Sequence, residues 1–85
     1  MSVADALRRN IRSRRSQLRL SQAEVSARVW ARTGFKVHAS EISRYESGEV
    51  KPTIDKIEAI AAALACSAAD LMTVDWELPP LPEGF

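Results

Sequence analysis

Ser21-Gln22-Ala23-Glu24 and Ile42-Ser43-Arg44-Tyr45-Glu46-Ser47-Gly48 decide the fold of this 85-residue chain. The first stretch is a capping box. The Ser21 hydroxyl can accept from the backbone three residues on, and the Glu24 carboxylate can reach back. It opens a helix whose inner face is Val25 and Val29. The second stretch reads as a short helix with Ile42 inward and polar residues outward, closed by the turn Ser47-Gly48-Glu49-Val50-Lys51-Pro52.

The flanking sequence repeats this pattern of capped, short helices. Ser2 caps a first helix, with Asp5 completing its box, and Ala4, Leu7, Ile11 and Leu18 recur at helical spacing. Arg8, Arg9, Arg12, Arg14 and Arg19 take its other faces, and it ends near Gln17. Gly34 stops the second helix because glycine takes positive φ without penalty. Phe35-Lys36-Val37 connects to a third helix, capped by His38 with Glu41 and running to about Glu46. Thr53 caps a fourth with the apolar stripe Ile54, Ile57, Ile60, Ala61 and Leu64. Cys66-Ser67 breaks it, and Ser67 with Asp70 caps a last helix over residues 68–73 that buries Leu71 and Met72. Five helices, short connections and no strand signal predict a compact all-α five-helix bundle over residues 1–73. Residues 74–85 form a tail that Pro79, Pro80 and Pro82 keep from being a helix. Trp76, Leu78, Leu81 and Phe85 make it apolar for a loose end.

Bulk properties narrow the function classes. The length suits one small domain, and 46% hydrophobic with 27% charged residues is a globular composition. Cys66 is the only cysteine, so no internal disulfide is possible, and its place between two helices is that of a core residue. The longest apolar run, residues 59–66, is far too short to cross a bilayer, and no secretion signal stands at the start. The expected location is the cytoplasm. His38 is the only histidine and has no second ligand at metal spacing, so neither a metal nor another cofactor is expected. No base stands beside a nucleophile and no glycine-rich phosphate loop appears, so the protein is not expected to be an enzyme. The net charge of +1 conceals a polarity. Residues 1–51 hold eleven Lys/Arg against five Asp/Glu, whereas residues 52–85 hold one Lys against six acids. The positive half contains the two diagnostic stretches, which suits contact with phosphates.

Over residues 7–72 the chain resembles the Xre/Cro-type helix-turn-helix family, which includes lambdoid phage repressors and restriction-modification controller proteins. The marks are Ile11-Arg12, Arg15, Leu18, Leu20-Ser21-Gln22, Val25, Val37, the stretch from Ile42 to Gly48, Pro52-Thr53, Ile57, Ile60-Ala61, Leu64 and Asp70-Leu71. The resemblance implies that the third helix enters a DNA major groove. It maps base reading to Ala39, Ser40 and Arg44, with His38 and Ser43 nearby. Arg44 can bond bidentately to guanine or clamp a phosphate, and Ala39 can touch a thymine methyl. Glu41 can accept from cytosine or serve its helix cap. Gln22 would touch both phosphate and the first recognition residue. Ser43, Arg19, Lys36 and Lys51 are further backbone candidates, as are Arg12 and Arg14. Arg15 and Glu46 match a partly buried salt bridge of the phage-repressor branch.

The resemblance also implies a homodimer on a double-stranded operator, its contact near the last two helices, with Leu71, Met72 and the tail available to it. The expected role is a transcriptional regulator, most simply a repressor. The alternative is an antitoxin or controller component whose tail holds a protein partner. One departure stands out. The family usually turns soon after the position of Val29, whereas residues 30–37 add about six here. Either the second helix is longer or the connector is a larger loop. The addition is then a tolerated surface insertion, or it offers extra contact with DNA backbone or a partner subunit through Trp30, Arg32 and Lys36, or Trp30 extends the core.

Overall fold

A computed structural model describes residues 1–84; Phe85, one of the expected tail contacts, lies outside them. The described residues form five helices and no strand: α1 (Val3–Gln17), α2 (Gln22–Thr33), α3 (Ala39–Ser47), α4 (Ile54–Ala63) and α5 (Ala68–Leu71). The last is shorter than the sequence suggests, because its carbonyls turn to other partners after one turn. The extra residues after Val29 lengthen α2 to Thr33, and Gly34 then stops it at φ +69°.

Local chemistry sets the ends. Ser2, Ser21, Thr53 and Ser67 each accept from the backbone N–H three residues on. Glu24 and Asp70 complete reciprocal boxes. His38 stands at the N-cap of α3, as expected, and the Glu41 carboxylate accepts from its backbone N–H at 3.3 Å. Gly48 ends α3 at φ +81°, a left-handed conformation that favours glycine; an added Cβ would also stand 3.0 Å from Cδ of the exposed Arg8 side chain, which can give way.

The apolar faces converge on one core of Leu7, Ile11, Leu18, Leu20, Val25, Val29, Val37, Ile42, Tyr45, Ile57, Ile60, Leu64 and Leu71. α2 packs on α3 and α4, and α1 on α3 and α5. Ile54 is not part of the α4 stripe. It lies in the first turn beside its cap and is 58% exposed. Trp30 is likewise outside the core.

The buried face of α1 is partly polar. The Asn10 amide donates to the carbonyls of Leu71 and Thr73, both at 2.9 Å, satisfying the end of α5. One turn on, Arg14 is only 1% exposed. Its Nε donates to the Leu64 carbonyl at 2.9 Å and Nη2 to that of Ala65 at 3.2 Å. These are the orphan acceptors at the C-terminus of α4, where the helix dipole favours a cation. Arg14 is therefore not a phosphate ligand, contrary to its grouping with the surface arginines. Ala65 takes φ +55° here, and the Cys66 N–H reaches back to the Ala61 carbonyl at 3.1 Å, closing the helix.

The tail lies against α1. The Pro79 carbonyl accepts from Gln17 at 2.6 Å and from Arg14 at 3.4 Å, and Trp76 packs partly buried on the core. Leu78 and Leu81 are more open, at 39% and 58% exposed.

Candidate nucleic-acid interface

The alternation of α3 divides it cleanly. Ile42 and Tyr45 point into the core. His38, Ser40, Ser43 and Arg44 are exposed, and Ala39 is half-buried. The exposed set is a polar surface on a helix of nine residues, short enough for a groove and free of large apolar side chains. Serine hydroxyls and an arginine fork are donors suited to base edges and phosphates.

What gives this surface a fixed position is a pair of glutamates, one near each end of α3. Glu46, buried, receives a two-bond fork from Arg15: Nε to Oε2 at 2.7 Å and Nη2 to Oε1 at 2.9 Å. The remaining Arg15 donor, Nη1, reaches the Leu20 carbonyl at 2.9 Å. Gln22 Nε2 also donates to Glu46 Oε1, at 3.2 Å. One carboxylate thus ties together α1, the first residue of α2, and α3. Planar guanidinium suits this, because two parallel bonds fix orientation as well as distance.

At the other end, Glu41 binds α4. Lys56 Nζ lies 2.6 Å from Glu41 Oε2, and the Tyr45 hydroxyl donates to the same oxygen at 3.0 Å. The Lys56 hydrogen bond, helped by those from the His38 backbone and Tyr45, lowers the Glu41 pKa to about 2. Glu41 is therefore committed to the helix cap and to α4 rather than to cytosine. Its depressed pKa stabilises the fold fully above its ordinary value of 4.5, and that stabilisation fades as pH falls toward 2. Thermal midpoints measured across that window should fall less steeply for Lys56→Met than for the parent. Equal slopes would mean that the pair does not set the titration.

Other sequence-derived candidates fall into three places. Gln22 and Ser43 share a depression of about 270 Å³ with Arg12, Arg15, Glu46 and Ser47, where α1, α2 and α3 meet. Lys51 stands in the turn after α3, beside Arg8. Lys36 lines a separate depression with Trp30, and Arg19 is exposed at the corner between α1 and α2, at φ +57°. Leu71 is fully buried within its own domain and so offers nothing to a partner surface, whereas Met72 is half-buried at the core edge. Cys66 is half-buried, and burial pushes its thiol up to about 11, which keeps it protonated and weakly reactive at neutral pH. No group of His, Cys, Asp or Glu among the described residues could hold a metal ion, and no helix is long and apolar enough to cross a membrane.

Asn10 and Arg14 were the structural residues that sequence reading missed. The signal was present: Arg14 falls on the line of Leu7, Ile11 and Leu18, at helical spacing on the apolar stripe.

Comparison with known proteins agrees with this geometry. No curated protein and no solved structure matches the chain. A family model described as helix-turn-helix matches residues 11–71, from the middle of α1 to the end of α5. With that match covering well over half its length, and α2 and α3 standing as the paired helices, the chain belongs to the helix-turn-helix family of DNA-binding regulatory domains.

Proposed function

We propose that this protein is a non-enzymatic, sequence-specific transcriptional regulator of Xre/Cro type, acting as a homodimeric repressor on a double-stranded operator. The observation that carries this reading is the exposed polar face of α3, held at both ends by Glu41 and Glu46. A recognition helix must keep its angle to the scaffold if its side chains are to meet particular bases. A single short helix reads few base pairs, so two symmetric half-sites give the discrimination that one cannot.

Selection of bound fragments from a random duplex pool, followed by footprinting, tests the reading directly. Recovery of one palindromic motif supports it; fragments with no shared sequence would leave only general DNA affinity. On the selected site, Arg44→Ala should weaken binding by about 1–3 kcal/mol and relax preference at one base pair. Uniform weakening on every single-base variant would reassign Arg44 to a phosphate.

A second reading, an antitoxin or controller component with a protein partner, draws on the tail. Leu78 and Leu81 are exposed on a segment that Pro79 anchors to α1. Truncation after Val74 should cost about 1–3 kcal/mol of stability, through loss of Trp76 packing and of the Pro79 acceptor. Sedimentation over a range of concentrations then assigns the leucines. A weakened dimer places them between subunits; an unchanged one leaves them to another partner or to none.

A further inference from the structure

Gln22, Ser26 and Trp30 stand at i, i+4 and i+8, along one edge of α2. The first reaches Glu46 on α3. The second donates its hydroxyl to the Val37 carbonyl at 2.5 Å, pinning the connector against the same edge. Trp30 is next along that edge and is 60% exposed. Together with Ser26, Ala27 and Lys36 it lines a depression of about 320 Å³, and no carboxylate is among the lining residues. Lys36 lies two residues before His38, where the exposed face of α3 begins.

From this placement we infer that Trp30 and Lys36 form a second grip on DNA, taking the sugar–phosphate backbone that flanks the bases facing α3. The inference rests on the DNA-binding reading above and adds to it the role of the lengthened α2. Charge and shape match that occupant. The ammonium neutralises a phosphate, the indole N–H donates to a phosphate oxygen, and the indole face covers the apolar side of a deoxyribose. Backbone contact carries no sequence information, so it can be measured without knowing the operator.

The probe is a mixed-sequence duplex about two helical turns long, titrated at several salt concentrations with the full chain. Lys36→Gln should lower the slope of log affinity against log salt by about 0.9, the signature of one phosphate. Trp30→Ala should weaken binding by roughly tenfold or more at unchanged slope. Both side chains are exposed, so thermal midpoints should stay at the parent value, confirming that the variants fold. Parent-like binding by both variants overturns the second grip and leaves the DNA-binding reading intact. Failure of the parent chain to bind any duplex at low salt overturns both. A lighter sedimenting species for Trp30→Ala, with parent-like DNA affinity, assigns the patch to a second copy of the chain and overturns the inference.

Discussion

Arg14→Ala is expected to remove about 3–5 kcal/mol of stability, the largest effect of any single substitution proposed for this chain. The guanidinium is buried and bonds the carbonyls of Leu64 and Ala65 at the end of α4, as well as Gln17 and Pro79. Its removal strands acceptors that water cannot easily reach and leaves a cavity behind. Domains of this size hold roughly 5–15 kcal/mol in total. At about 4–8 °C for each kcal/mol, the thermal midpoint should fall by more than about 12 °C. Arg14→Met, which refills the volume without the donors, should recover only part of the loss. Denaturation followed by circular dichroism measures both. A cost below about 1 kcal/mol for Arg14→Ala would show that the side chain is solvated after all.

Glu46→Ala should have the second-largest effect, and it should appear in two observables. Removing one partner of a buried pair commonly costs about 3–5 kcal/mol because the other charge is left unpaired. Arg15 keeps the Leu20 carbonyl and retains some solvent access, so about 2–3 kcal/mol is expected here. DNA affinity should drop further than the loss of folded protein explains, because Gln22 and Arg15 both lose their common acceptor and α3 loses its tie to α1. Arg15→Ala combined with Glu46→Ala should be less harmful than the two separate costs added together. A coupling near zero in that double-mutant cycle would mean that the bridge does not hold the helix.

Much of the fold is readable from local chemistry. Serine and threonine caps, Gly34 and Gly48, and the spacing of Val25, Val29, Ile42, Ile57 and Ile60 each act within a turn or two of chain. Their consequences are visible in a short window of sequence. The Arg15–Glu46 pair came instead from family resemblance, since nothing local connects residues so far apart. Arg14 was misread because a charge ordinarily marks the wet side of a helix, and only the fold reveals the carbonyls that wait for it. The exposure of Ile54 has a similar origin: an apolar residue at the right spacing stays outside when its helix has only just begun. Among the binding candidates, the base-reading set on α3 came from the family resemblance, and the burial of Ile42 and Tyr45 is consistent with it. Trp30 and Lys36 were legible together only as residues of the added stretch; the depression they share depends on how a five-residue connector folds back on α2.

The polar seam of α1 has a bearing on how the chain is made. Synthesis proceeds from the N-terminus, so Asn10 and Arg14 emerge first. Their acceptors are 50 to 65 residues away in sequence. Until those acceptors leave the ribosome, α1 carries an unmatched amide and guanidinium on the face it must bury. No nascent fragment that stops short of Leu71 can complete this arrangement. Local helices can flicker during elongation, but the native state closes only across nearly the whole chain, as one cooperative event. A stalled or prematurely ended product would expose both an unmatched cation and an open apolar core, the kind of species that quality-control proteases remove.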